Sequence, residues 1–127
     1  MKERDYAYYA GIIDGEGSLK LYRRPTRNSA GKVYNCYHPV LEVCNTDIPL
    51  IYKMHKDFKQ GYIYHDKMSK TATGKDRKPI ARWKIQYQQL YKFLKIMKPF
   101  FRVQAKKDVA KAIIKYYETR KNKPRIR

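Results

Sequence analysis

The stretch Tyr9-Ala10-Gly11-Ile12-Ile13-Asp14-Gly15-Glu16-Gly17, running on into Ser18-Leu19, constrains this chain more than any other part of it. Read as a helix over residues 5–14, it places Ala7, Ala10, Gly11 and Asp14 at i, i+3, i+4 and i+7, one stripe nearly bare of side-chain bulk. A bare stripe lets a second helix come very close. Glycine inside a helix costs about 1 kcal/mol relative to alanine, so Gly11 needs a reason, and close backbone packing is the usual one. Gly15 and Gly17 let the chain leave the helix, since glycine takes up the left-handed backbone that a helix end often requires. Glu16 is then projected from a helix C-terminus, where the dipole and the free carbonyls are already negative. A divalent cation relieves that repulsion, with Glu16 and neighbouring carbonyl oxygens as hard ligands suited to magnesium. The same spacing also fits a glycine-rich turn with solvated acids ahead of a strand.

Charge points to the partner. Thirty Lys and Arg stand against 11 Asp and Glu, a net +19 in 127 residues. Such self-repulsion in a small chain marks a binder of polyanions, nucleic acid first. No lipid-anchor motif, no helix with segregated basic and apolar faces, no signal peptide and no run of about 18 apolar residues is present. The expectation is no membrane partner and an intracellular protein, in cytoplasm or nucleoid, with an organelle left open. Cys36 and Cys44, eight residues apart in one expected strand, lie roughly 26 Å from each other and cannot pair. Two free thiols agree with a reducing compartment. His38, His55 and His65 have no metal-ligand spacing with them.

The remaining chain reads as one α+β domain over residues 1–127, with a core over about 6–117 and a basic, frayed tail at 119–127. Its signals run helix, two strands, helix, two strands, then helices. Residues 18–24 alternate, with Leu19 and Leu21 on one face and Lys20, Tyr22 and Arg24 on the other. Residues 25–32 read as a hairpin loop. Residues 33–44 return as a strand with Pro39, Leu41 and Val43 inward and His38, Val40 and Glu42 outward. Asp47 caps a helix with Pro49 in its first turn and Leu50, Ile51, Met54 and Phe58 as its buried stripe, stopping at Gly61.

A second strand pair follows over residues 62–66 and 81–87, where Arg82, Lys84 and Gln86 alternate against Trp83, Ile85 and Tyr87. Residues 68–79 between them, with Lys70, Lys75, Arg77 and Lys78, read as a long mobile loop that orders on a polyanion. Leu90, Phe93, Leu94 and Met97, and then Val109, Ala112, Ile113, Tyr116 and Tyr117, repeat at helical spacing as core stripes. Of the 13 tyrosines, Tyr6, Tyr8, Tyr9, Tyr116 and Tyr117 belong to core and interface; Tyr34, Tyr37 and Tyr64 are candidates for stacking on single strands.

Basic and aromatic residues alternating with apolar ones along four strands make a sheet with one face for the core and one for a ligand. A curved sheet of that kind fits the major groove, where base edges are distinguishable. Lys20, Tyr22, Arg24, His38, Glu42, Tyr64, Asp66, Arg82, Lys84 and Gln86 are the candidates for this surface. Glu42 and Asp66 stand out, because a carboxylate accepts from cytosine and does nothing favourable with phosphate. Each of the ten also fits a solvated surface position.

The motif itself resembles the defining sequence of the LAGLIDADG homing endonucleases: Ala10, Gly11, Ile13, Asp14 and Gly17 match its letters, and Glu16 stands for its second acid. Tyr8-Tyr9 before it and Gly17-Ser18-Leu19 after it fit as well, and the resemblance covers roughly residues 6–117. It implies the order αββαββα(α), a curved antiparallel sheet forming a DNA-binding saddle, and motif helices that pack across a twofold axis. No second motif is found; residues 57–61 and 73–76 have acids and glycine without an apolar helical lead-in. One motif per chain implies a homodimer through Ala7, Ala10, Gly11 and Asp14, and hence a near-palindromic target.

The implied activity is a magnesium-dependent, site-specific double-strand DNA endonuclease that cuts across the minor groove and leaves staggered ends. Mn2+ could replace Mg2+, and Ca2+ is expected to support binding without cleavage. Glu16, the partner's Glu16 and the carbonyl of Gly15 would form one shared metal site. The family places a water-positioning residue at the end of the second strand, where this chain has Asn45, and a lysine after the last strand pair. There this chain has Gln104, with Lys106 and Lys107 beyond, so either Gln104 or Lys106 takes that role.

Two neighbouring readings stay open, an intron RNA maturase, which could coexist with cleavage and would add an intron RNA partner, and a non-catalytic DNA- or RNA-binding protein of the same fold. An intron-encoded origin goes with the endonuclease resemblance, with an intein or a free-standing gene left open. Glu16 argues against binding alone. A structural RNA-binding protein such as a ribosomal one would leave the glycine stripe and Glu16 without purpose.

Overall fold

Helix α1 (Glu3–Glu16) runs into strand β1 (Gly17–Arg27) with no residue between them. The structure, a computed structural model, describes residues 1–65 and 79–121. After β1 come β2 (Val33–Asn45), α2 (Ile48–Phe58), β3 (Tyr62–His65), β4 (Ala81–Gln86), α3 (Tyr87–Met97), a single 3-10 turn (Lys98–Phe100) and α4 (Gln104–Lys121). This is the α+β order αββαββα(α) read from the sequence. Asp66, residues 122–127 and, apart from Pro79, the expected loop over 68–79 lie outside the described residues. α4 itself continues past Thr119 to Lys121.

The strands form one antiparallel sheet in the order β1-β2-β4-β3. Register pairs Leu19 with Leu41, Leu41 with Ile85, and Val43 and Ile63 with Trp83, so the period-two apolar sets of all four strands fall on one face. Pro39 faces inward as expected, one residue outside the β2–β4 ladder that begins at Val40. It is thus an edge position, where proline is tolerated. Pro25, expected in the hairpin loop, is instead a strand residue opposite Asn35; β1 is an edge strand, so its missing N–H need not remove a rung. Tyr87, expected as the last inward residue of β4, is the first residue of α3, 46% exposed and at φ 55. With no connecting residue between β4 and α3, one left-handed residue at the junction makes the turn.

Asp47 caps α2, its carboxylate accepting from the Leu50 N–H, with a proline in the first turn. The helix ends at Phe58 rather than at Gly61, because Lys59 takes the left-handed C-cap position at φ 56. Gly61 has a separate necessity at φ +78: a Cβ there would stand 2.4 Å from the Lys84 carbonyl oxygen and 2.8 Å from Ile85 Cγ1. In α3 the expected stripe of Leu90, Phe93, Leu94 and Met97 is buried, together with Tyr91. In α4 the buried line runs through Ala110, Ile113 and Tyr117, so Ala112 is exposed instead of core.

Aromatic rings fill the space between sheet and helices. Phe58 stacks on Trp83 at 5.5 Å and meets Phe93 edge-on at 4.9 Å, while Trp83 Nε1 donates to the Gln60 carbonyl at 2.8 Å. Tyr9 packs on Phe58 at 5.3 Å and its hydroxyl donates to the Asp57 carboxylate, which ties α1 to α2. Burial, and then that hydrogen bond and the Asp57 charge, push the Tyr9 hydroxyl well above the usual tyrosine range. No helix among the described residues is long and apolar enough to cross a membrane.

Candidate active site and nucleic-acid interface

Tyr9, Ala10 and Ile13 are buried, and that orientation decides which face of α1 stays open. Ala10, expected on the bare stripe, is fully enclosed by the chain's own core. Asp14 turns the other way, its Oδ2 accepting from the Arg102 N–H at 2.7 Å. Ala7 and Gly11 are exposed, and their neighbours on the open face are Tyr8, Ile12 and Gly15 rather than Ala10 and Asp14. Each residue turns the helix by about 100°, so Ala10 cannot share a face fully with Gly11 once it is anchored in the core. A Cβ on Gly11 or Gly15 would meet nothing within 4 Å in the isolated chain.

The exit from α1 differs from the expected left-handed break. Gly15 stays helical, and Gly17 is extended at φ −80, ψ 145. Gly17 is needed for room: a Cβ would lie 2.7 Å from the Ile13 carbonyl oxygen and 2.9 Å from Ile13 Cγ2. The chain therefore passes straight from the last helical turn into the sheet, and Glu16 is held at that corner.

Asn45, the last residue of β2, donates through Nδ2 to Glu16 Oε2, while its Oδ1 accepts from the Asp47 N–H at 2.8 Å. The two bonds fix which end of the amide faces the carboxylate. Glu16 Oε1 has no hydrogen bond among the described residues. A depression of about 420 Å³ opens here, lined by Tyr8, Gly11, Ile12, Gly15, Glu16, Asn45 and Leu50. Leu50 and the supporting role of Asp47 carried no separate signal in the sequence, because both depend on where α2 starts relative to β2.

On the other side of the α1 terminus, Lys106 reaches from α4 to the Asp14 carbonyl oxygen at 3.4 Å, and Asp14 Oδ1 is buried without a partner among the described residues. Gln104, the alternative candidate, is exposed and donates to Asp108 at 2.9 Å. No basic side chain stands in the last turn of α1 itself. Among the described residues, no three His, Cys, Asp or Glu side chains cluster for a metal. One chain brings a carboxylate with an uncommitted oxygen beside helix-end carbonyls that lack intrahelical partners. That donor set fits a hard cation that keeps other positions for water and phosphate.

On the outward face of the sheet, Lys20, Tyr22 and Arg24 are exposed along β1, the Tyr22 ring lying 5.6 Å from Lys20 Nζ and 5.3 Å from Arg24 Cζ. Glu42 is ion-paired with Arg82 at 2.6 Å, and His38 Nδ1 is 3.0 Å from the Tyr87 hydroxyl. Lys84 and Gln86 share this face on β4, and Tyr64 on β3 lies opposite Arg82. Tyr37 instead packs edge-on against Tyr116 of α4 at 5.2 Å.

No family model and no curated protein sequence matches the chain. Its fold recurs among solved structures. With a TM-score of 0.69 and 16% identity it matches the homing endonuclease I-CvuI, solved with a DNA target in the presence of Mg and the DNA uncleaved, over 94% of this chain and 69% of that one. The LAGLIDADG meganuclease I-AabMI bound to uncleaved DNA gives 0.63 at 18% identity, over 92% of this chain and 37% of that one. An archaeal intron-encoded homing endonuclease complexed with DNA gives 0.57 at 15% identity, over 100% and 89%. The four helices and four-stranded antiparallel sheet are the LAGLIDADG fold; at these identities the likeness is one of fold.

Proposed function

We propose that this chain is a divalent-metal-dependent, site-specific double-strand DNA endonuclease of the LAGLIDADG homing type, working as a homodimer. The observation that carries the reading is Glu16, a carboxylate held by Asn45 at the end of a helix whose glycine face is open. Fold likeness to endonucleases solved with DNA supports it. Two copies meeting along Ala7, Gly11 and Gly15 bring two Glu16 side chains together, and their symmetry requires a near-palindromic target. The outward sheet face, with Lys20, Tyr22, Arg24, Lys84 and Gln86, lies along the duplex.

Hydrolysis of a phosphodiester needs a placed water and opposing charge for the phosphate. Mg2+ or Mn2+, held by Glu16, the partner's Glu16 and the Gly15 carbonyl, would supply that charge and acidify a bound water. Asn45 keeps the carboxylate aimed, since its own amide is pinned by the Asp47 N–H. Lys106 takes the cationic role in preference to Gln104, because its ammonium already lies at the α1 terminus whereas Gln104 is engaged with Asp108. The chain then cuts both strands across the minor groove and leaves staggered ends.

The test is selection of bound duplexes from a random library in Ca2+, followed by Mg2+ and sequencing of the ends. Staggered breaks within one near-palindromic site, lost in Glu16→Gln while binding persists, are the expected result. Enrichment without breaks would leave a non-catalytic binder or a maturase. Loss of binding together with cleavage in Glu16→Gln would overturn the assignment of Glu16.

A further inference from the structure

The outward sheet face is basic, polar and aromatic apart from Val40 and the two thiols of Cys36 and Cys44. Among the described strand residues on it, Val40 is the single aliphatic side chain, half-buried in central strand β2. Its register neighbours are Lys20 on β1 and Gln86 on β4. The central residue of each adjoining row is committed within the chain, Glu42 to Arg82 of the row beyond and His38 to Tyr87. The Gln86 amide, by contrast, has no hydrogen-bond partner among the described residues.

The row also matches a duplex in scale. Strands lie about 4.8 Å apart, so Lys20 to Gln86 spans about 10 Å, inside the roughly 12 Å width of the major groove. Along a strand, residues on one face recur at about 6.8 Å, two base-pair rises, so a single row meets about two base pairs. A valine offers neither donor nor acceptor. The one apolar group on the major-groove edge is the thymine 5-methyl, and an uncommitted glutamine amide suits adenine N6 and N7. A single A·T pair presents both.

Building on the DNA-binding reading above, we propose that Val40 and Gln86 together read one A·T pair per chain, Val40 against the thymine methyl and Gln86 on the adenine. A merely structural Val40, there to stiffen the strand, would affect stability and leave base preference alone.

The experiment takes the duplex selected with the unaltered chain in Ca2+ and replaces each thymine by uracil, one at a time. Removing the methyl from the thymine of this pair should weaken binding about fourfold, the value of one buried methyl group, and other thymines should be indifferent. Val40→Ser should bind the thymine and uracil duplexes alike. Gln86→Ala should lose preference at the same pair by about tenfold, within the range of a bidentate base contact.

A flat uracil scan overturns the inference, as does a Val40→Ser protein that keeps its methyl sensitivity, or a Gln86→Ala change at a different pair. The scan needs no variant, so poor folding of Val40→Ser leaves it decisive. Failure to enrich any duplex overturns the DNA reading and this inference together, whereas enrichment with a flat scan removes this inference only.

Discussion

Replacing Gly11 by alanine distinguishes a helix face that meets a second copy from one that meets water. In the isolated chain the new Cβ has nothing within 4 Å, and alanine is favoured over glycine in a helix by about 1 kcal/mol. A chain that works alone is therefore stabilised by about that amount. Across a twofold axis the outcome reverses. Glycine is then present so that two backbones can approach, and each added methyl overpacks the seam by about 2 kcal/mol. The axis counts the change twice, about 4 kcal/mol, or roughly a thousandfold in the dimer Kd. The propensity gain is common to monomer and dimer and cancels from that difference. Sedimentation velocity over a wide concentration range reads the association, and melting of dilute protein reads the gain in the single chain. An unaltered protein that stays monomeric when concentrated and on DNA, or a Gly11→Ala protein that is more stable and associates as before, would refute the packing argument.

Three further outcomes follow from particular contacts. Asn45→Ala removes the donor to Glu16 and the acceptor for Asp47 N–H; single-turnover cleavage should fall about a hundredfold from misplacement alone, with Kd for DNA unchanged, and an undiminished rate would count against the aiming role. Gly61→Ala forces a side chain into a left-handed position and against the Lys84 carbonyl, so urea unfolding should show a loss of about 3 kcal/mol, opposite in sign to the dilute-protein effect of Gly11→Ala. The Tyr9 hydroxyl is raised above its ordinary 10.0 in the fold, so the neutral form is the favoured one. Its contribution is whole below pH 10 and declines as pH rises past it. Tyr9→Phe should lower stability at neutral pH by about 2 kcal/mol and flatten the alkaline decline in a pH series of thermal melts; parallel declines in both proteins would contradict this.

The parts of the structure that depend on near neighbours along the chain are legible in the sequence alone. Asp47 and Pro49 mark the start of α2 because a cap acts over three residues, and its carboxylate does accept from Leu50. Leu19, Leu41, Val43, Trp83 and Ile85 reveal the inward face because side chains alternate strictly along a strand. The α+β order, and the match of Tyr9 to Gly17 to a known motif, came from the same local information. Helix junctions were less legible: Lys59 and Tyr87 take left-handed backbones that their side chains do not advertise, and Pro25 is tolerated in β1 only because that strand is an edge.

What tertiary structure alone decided is which groups, far apart in sequence, share a place. The bare stripe of α1 is divided by packing, Ala10 going to the core and Gly15 joining Gly11 in the open, because Tyr9, Ala10 and Ile13 together fix the helix rotation against α2 and the sheet. Asn45 reaches Glu16 across 29 positions, and Lys106 reaches the Asp14 carbonyl across 92. The pairing of Glu42 with Arg82, and the row that sets Val40 between Lys20 and Gln86, depend on β4 adding beside β2. A sequence carries the periodicity of each element, but not the rotation and register at which elements meet; those are set by the burial of all of them at once.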